Sequence, residues 1–265
     1  MSTIEIDKSD CIQCGLCASV CPSVLLQQRN VRSCPEVVDG AESRCINCGH
    51  CVAICPVNAI AVNGITTREC VPVSREASPR FEHIASLVRN RRSIRKFVYE
   101  PLDRTQLDQL FDVVRYAPTA RNGLPVRWTV VNSPKTVNEL AELVIDWIKR
   151  TGQSPELVEE WNAGHDRVLR GAPCLVVATT NDTAILPEID STIAVEIFEL
   201  AATALRIGVC WAGYFVLAAQ NDEAIVKRLK LDHGERVYGA LMLGKTDIEI
   251  YPRVPVRPQP VVRWL

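Results

Sequence analysis

Twelve cysteines stand in 265 residues, and eight of them fall into two runs of identical spacing. The first reads Cys11-Ile-Gln-Cys14-Gly-Leu-Cys17-Ala-Ser-Val-Cys21-Pro22, the second Cys45-Ile-Asn-Cys48-Gly-His-Cys51-Val-Ala-Ile-Cys55-Pro56. Both are C-x2-C-x2-C-x3-C-P, an internal duplication offset by 34 residues. Thiolates at this spacing suit a cubane [4Fe–4S] cluster, whose four iron corners each take one sulfur ligand. Three cysteines two residues apart wrap a tight loop around one cluster, with backbone N–H groups turned toward its sulfurs. The fourth is expected to begin a helix leading away, with the following proline aiming its thiolate at the other cluster. On that pattern Cys11, Cys14, Cys17 and Cys55 hold one cluster, and Cys45, Cys48, Cys51 and Cys21 hold the second. Gly15 and Gly49 leave the loops room to pass close to them.

Other uses of dense cysteine fit less well. Structural zinc takes its ligands in two separated pairs rather than in an unbroken run of four ending in proline. A disulfide scaffold belongs to secreted chains, and residues 1–8 show no basic stretch followed by an apolar one. The apolar stretch 193–219 is interrupted by Glu196, Glu199 and Arg206, too polar for a membrane span. The expectation is a cytoplasmic chain with reduced thiols. A net charge of −1 without a basic run argues against nucleic acid as a partner. Cys34 and Cys70 lie outside both runs and read as small apolar residues, and His50, inside the second loop, reads as solvent-facing. Residues 1–65 closely resemble the bacterial two-cluster ferredoxins, which implies a module that passes electrons one at a time.

After Cys70 the chemistry changes. Residues 71–79 contain two prolines, two serines and no apolar periodicity, so the composition marks a linker over 71–83 between a first domain, 1–70, and a second, 84–265. In the second domain, Arg91-Arg92-Ser93-Ile94-Arg95-Lys96 places five donor-bearing side chains in six residues. Arginine forks suit phosphate oxygens and sugar hydroxyls; taken alone, the run fits a solvated basic surface equally well. The other polar punctuation lies at Ala117–Pro125, at Gly171-Ala172-Pro173, at Gly208–Tyr214 and at Leu243-Gly244, with Arg253 and Arg257 in a tail holding four prolines. Apolar periodicity predicts the elements that position these segments: helices over 102–117 (Asp103 as N-cap), 136–150 and 189–207, and strands over 128–132, 174–179 and 236–243. No G-x-G-x-x-G follows a strand, no phosphate-binding G-x-x-x-x-G-K-[ST] occurs, and no catalytic dyad stands out among the four histidines.

Taken in order, these five segments resemble the FMN-dependent nitroreductase family over residues 84–265, and the whole chain resembles a ferredoxin–nitroreductase fusion. The resemblance implies an α+β fold, a two-cluster ferredoxin-like domain followed by an α+β sandwich around a central mixed sheet. It also implies an interlocked homodimer with FMN at its interface. Carried over residue by residue, Arg91, Arg92, Ser93 and Arg95 match the segment that binds FMN phosphate and ribityl. Asn122 matches an asparagine that hydrogen-bonds the flavin ring, Ala212 and Gly213 the backbone facing the flavin near N5, and Arg257 and Arg253 late basic residues closing on the phosphate. No side chain is assigned a catalytic acid or base role. The chain departs from the family where a glutamine is expected, at Leu124, and where a tryptophan often follows, at Val126; Trp128 stands close by as a partial replacement.

The resemblance implies an oxidoreductase in which clusters feed FMN and FMN delivers hydride to a small electrophilic acceptor: a nitro compound, a quinone or an activated alkene. The donor is a low-potential protein or NAD(P)H. An electron-transfer subunit docking to a larger complex, and a flavin-binding redox sensor without turnover, are the alternatives.

Overall fold

Proline after a cysteine and a left-handed residue on either side of another shape the first part of the chain. The computed structural model describes residues 3–74, 76, 78–247 and 251–265; Arg75 and Ala77 of the expected linker lie outside the described residues. Two units are distinct, Met1–Ser78 with Arg121–Gly123, and Pro79–Ala120 with Leu124–Leu265.

The first unit runs β1 (Ile4–Ile6), α1 (Leu16–Ser19), β2 (Leu26–Gln27), β3 (Glu36–Val37), α2 (Ala41–Arg44), α3 (His50–Ala53) and β4 (Ile60–Val62). β1 pairs antiparallel with β4, and β2 with β3, so each ribbon takes one strand from each half of the duplication. The duplication extends to the backbone. Gln13 and Asn47, Gly15 and Gly49, and Val24 and Asn58 are equivalent positions, and all six have φ between 52° and 73°. One expectation is corrected. The short helices α1 and α3 begin just after Gly15 and Gly49 and carry the third cysteine of each run, whereas the fourth follows their ends. The helices end at Ser19 and Ala53 with Val20 and Ile54 as their caps, so Cys21 and Cys55 lie in the turns beyond them. Leu25, Leu26, Val52, Ile60 and Val62 form the buried centre of the unit.

The second unit runs α4 (Phe81–Asn90), α5 (Arg104–Val114), β5 (Arg127–Val131), α6 (Pro134–Thr151), α7 (Pro155–Asn162), β6 (Cys174–Asn181), α8 (Pro187–Ala204), β7 (Gly208–Trp211), α9 (Gly213–Ala219), α10 (Glu223–Leu229) and β8 (Glu235–Gly244). The α4 helix begins inside the stretch whose composition suggests a linker. The sheet order is β5-β6-β8-β7, every named pair antiparallel. A parallel bridge, Ser93 to Val209, adds the basic segment to the β7 edge and makes the sheet mixed. The continuous apolar run of β6 is buried on both faces, as such runs are. Leu175 and Val177 enter one core with α6 and α9, and Cys174, Val176 and Ala178 enter the other with α5 and α8. Ser133 caps α6 by accepting a hydrogen bond from the Thr136 amide, with Pro134 opening the first turn. Asp103 precedes α5 at the expected cap position but makes no side-chain bond to it. Residues 251–265 carry neither helix nor strand. Among the described residues no helix is long and apolar enough to cross a membrane.

The second core is organised around Phe198, which is fully buried. Its ring lies 5.4 Å from those of Phe111 and Trp128, and Phe111 and Trp128 stand 5.8 Å apart. Emptying this position removes both transfer energy and packing contacts. Phe198→Ala is expected to destabilise the second unit by about 3–5 kcal/mol, read as a lowered urea midpoint followed through Trp128 fluorescence; a shift below about 1 kcal/mol would show that the aromatic cluster is not a packing centre.

Candidate functional site

Cys11, Cys14, Cys17 and Cys55 line one cavity in the first unit, walled by Ile6, Ile12, Leu16, Val57 and Ile60. The fourth thiol of one run thus stands with the first three of the other. Around the second run, burial pushes the Cys51 thiol up to about 11, and Cys48 and Cys21 add to the rise as neighbours. Burial likewise raises Cys17, helped by Cys11 and Cys14. The duplication places a donor at the last cysteine of each run: the Leu25 amide donates to Cys21 Sγ and the Ala59 amide to Cys55 Sγ, both at 3.3 Å. Amides aimed at sulfur stabilise thiolate charge. Among the described residues no three His, Cys, Asp or Glu side chains converge on a point fit for a single metal ion; the four thiols of the first set surround a space instead. Cys34, read from the sequence as incidental, donates to the Pro35 carbonyl at 3.6 Å, and burial together with the neighbouring Cys11 raises its thiol.

The second unit holds a cleft of about 480 Å³, inside the roughly 300–1,000 Å³ range of cofactor pockets. Its position follows from strand geometry. The Ile94 amide donates to the Val209 carbonyl at 2.8 Å, so residues 91–95 lie beside β7 and alternate residues face opposite ways. Ser93 and Arg95 line the cleft with Cys210, Trp211, Gly213 and Tyr214, and Arg167 and Arg170 complete its cationic wall. Arg92 and Ile94 turn instead into a neighbouring cavity of about 320 Å³ with Arg206 and Tyr251. There Arg92 stacks on the Tyr251 ring at 5.9 Å, and its Nη2 is buried without a partner. Arg91 takes neither course: it pairs with the nearly buried Glu199 of α8 at 2.7 Å.

The remaining expected residues are dispersed. Gly213 lines the cleft, whereas Ala212 is fully buried, its amide donating to the Ala240 carbonyl. Asn122 lies on the left-handed turn Arg121–Asn122, which belongs to the first unit, and does not line the cleft. Arg253 and Arg257 are exposed and line neither cavity. Leu124, at φ 46° and 59% exposed, joins Val126 and Trp128 in a separate apolar recess beside Phe111. The sequence reading missed Arg167 and Arg170. The signal was the Asp166-Arg-Val-Leu-Arg170 stretch just before the noted Gly171-Ala172-Pro173, with an aspartate able to tie a loop.

Three of the noted segments meet where β7 begins and β8 ends. Gly208 pairs with Gly244. A Cβ on Gly244 would stand 2.7 Å from Pro173 Cδ and 3.0 Å from Phe97, so only glycine lets the strand pass. Residues 88–245, which contain all three segments together with the basic segment, match the nitroreductase family. The chain belongs to the nitroreductase family. Residues 10–60 of this nitroreductase-family chain match the 4Fe-4S dicluster domain, so it is a ferredoxin–nitroreductase fusion and an oxidoreductase. It is 25% identical over 181 residues to the Bacillus subtilis (strain 168) protein YfhC, which is named for NAD(P)H nitroreductase activity; the match covers 66% of this chain and 91% of the relative. Two solved structures share its fold. A nitroreductase with bound FMN from Bacteroides fragilis superposes with a TM-score of 0.61 at 21% identity, over 69% of this chain and 98% of that one. A second, from Desulfitobacterium hafniense, also with bound FMN, gives 0.56 at 24% identity over 66% and 93%.

Gly15 and Gly49 now differ in a testable way. Both have φ near +70°, but a Cβ at Gly15 would meet Gln28 Oε1 at 2.4 Å, while at Gly49 nothing lies within 4 Å. Gln28 cannot easily yield, because its amide nitrogen donates to the carbonyls of Gln13 and Ser33. Gly15→Ala should therefore lower bound iron per chain more than Gly49→Ala, measured after anaerobic purification. Equal iron in both variants would show that backbone conformation alone decides.

Proposed function

We propose that this chain is an FMN-dependent oxidoreductase that takes single electrons through two [4Fe–4S] clusters and delivers them in pairs to a small electrophilic acceptor. Cys11, Cys14, Cys17 and Cys55 would hold one cluster, and Cys45, Cys48, Cys51 and Cys21 the other. The observation that carries the FMN reading is the cleft that brings Ser93, Arg95 and Gly213 together, a cation and a hydroxyl beside an apolar floor of Val168, Leu217 and Met242. Such a site fits a ligand with a phosphate at one end and a flat ring at the other. The unpartnered Nη2 of Arg92 is a further buried donor without an acceptor. FMN, when bound, accepts electrons singly and gives them up as a pair, the conversion that links iron–sulfur wiring to organic reduction.

The protein's own part is to hold and to exclude. The guanidinium fork of Arg95 would neutralise the nucleotide, with Ser93 adding a hydroxyl. Glu199 would keep Arg91 extended and oriented along α8. The family resemblance supports a small electrophilic acceptor: a nitro compound, a quinone or an activated alkene. The fused clusters favour a low-potential donor protein, and the likeness to YfhC leaves NAD(P)H as the other donor. Family resemblance supports a homodimer and the domain division 1–70, 71–83 and 84–265, with Asn122, Ala212, Gly213, Arg253 and Arg257 as further flavin contacts in the assembled dimer.

Protein purified without oxygen should carry about eight iron per chain, as two cubanes require, and one FMN, and dithionite should bleach both chromophores. Iron without flavin would overturn the enzyme reading in favour of an electron shuttle. Flavin that dithionite reduces while the clusters stay oxidised would break the proposed wire.

A further inference from the structure

Arg170, like Arg95, lacks the ion pair that other arginines near the cleft make. Arg91 is paired with Glu199 at 2.7 Å, and Arg167 with Glu160 at 3.4 Å. Arg170 makes no ion pair among the described residues, although it is half-buried and lines the cleft beside Arg95. Burial and the positive charges of Arg95 and Arg167 both pull its guanidinium pKa down. Its backbone is left-handed, φ 58°, followed by Gly171 at φ 60°. An L-residue there costs about 1–2 kcal/mol. The aspartate just upstream holds it: Asp166 Oδ1 accepts from the amides of Val168 and Leu169 at 2.8 and 2.9 Å, and Oδ2 from Gly171 at 2.8 Å. Those oxygens are spent on backbone, and Asp166 forms no ion pair with Arg170. The loop therefore accepts backbone strain, burial of a charge and repulsion from Arg95 and Arg167, offset in part by attraction to Asp166, and among the described residues no carboxylate forms an ion pair with the guanidinium. Strain held this firmly points to a use.

We infer that Arg170 is a second cationic anchor, beside Arg95, for the negative charge of the flavin nucleotide bound in this cleft. The inference rests on the FMN reading and extends it to a residue outside the segments that carry the family resemblance. Two parts of the ligand supply such charge, the phosphate and the isoalloxazine ring once reduced, and a guanidinium fork suits both.

The test uses the full-length chain, anaerobic, with clusters intact and flavin removed. FMN and riboflavin are titrated by quenching of flavin fluorescence, and the potential of bound FMN is measured, in wild type, Arg170→Gln and Arg170→Lys; circular dichroism and iron content check folding. Arg170→Gln should weaken FMN at least tenfold, with partial recovery in Arg170→Lys. Unchanged riboflavin binding assigns the charge to the phosphate. Riboflavin and FMN weakened together, with reduced FMN losing tenfold more affinity than oxidised, assigns it to the ring; the two-electron potential then falls by about 30 mV. Affinities and potential within twofold and unshifted overturn the inference, as does equal loss for both flavins in both redox states, which would mark a merely structural residue. Wild type that binds no FMN would overturn the FMN reading itself, and this inference with it.

Discussion

The hydrogen bond from the Ile94 amide to the Val209 carbonyl, 2.8 Å long, sets the direction of every side chain in the basic segment. Once residues 91–95 lie alongside β7, a period of two sends Ser93 and Arg95 one way and Arg92 and Ile94 the other. A slip of one residue would exchange them. The register is held from both sides. A Cβ on Gly208 would stand 3.0 Å from Ile94 Cγ2, and the Val98 amide bonds to the Lys245 carbonyl beyond β8. Cleft chemistry thus depends on a close-packed sheet end, where glycines, Pro173 and Phe97 leave no freedom.

The first unit obeys a different constraint. Cys11, Cys14, Cys17 and Cys55 line a small cavity, and the loops that carry the two cysteine runs turn at left-handed residues. Equivalent left-handed positions recur at Gln13 and Asn47, Gly15 and Gly49, Val24 and Asn58. Amide donors to Cys21 and Cys55 recur with them. Little of this unit is hydrophobic core; its order comes from repeated backbone geometry.

Much of this was legible because it is periodic or local. The two cysteine runs announce themselves by spacing, β6 by an unbroken apolar run, and α6 and α8 by their lengths and faces. The α+β class came with the resemblance that the polar segments carry in their order, not from these elements. What escaped had non-local causes. That Arg92 parts from Ser93 depends on a bridge to a strand more than a hundred residues away. Arg170 depends on Asp166 folding a loop back on its own amides, which no helical or strand period reports. The short helices carry the third cysteine rather than the fourth because they start from left-handed Gly15 and Gly49, glycines that read in the sequence as room beside a cluster rather than as helix starts.

The cross-pairing of β1 with β4 and of β2 with β3 bears on ancestry. Each half of the duplication completes its ribbons only with strands of the other, and Cys55 joins the cavity of Cys11, Cys14 and Cys17. A half-length peptide with this pattern would find its complement only in a second copy of itself. The unit therefore keeps, within one covalent chain, the two-fold arrangement of a small symmetric dimer, and its halves are free to diverge wherever the cysteine spacing and the strand pairing are kept.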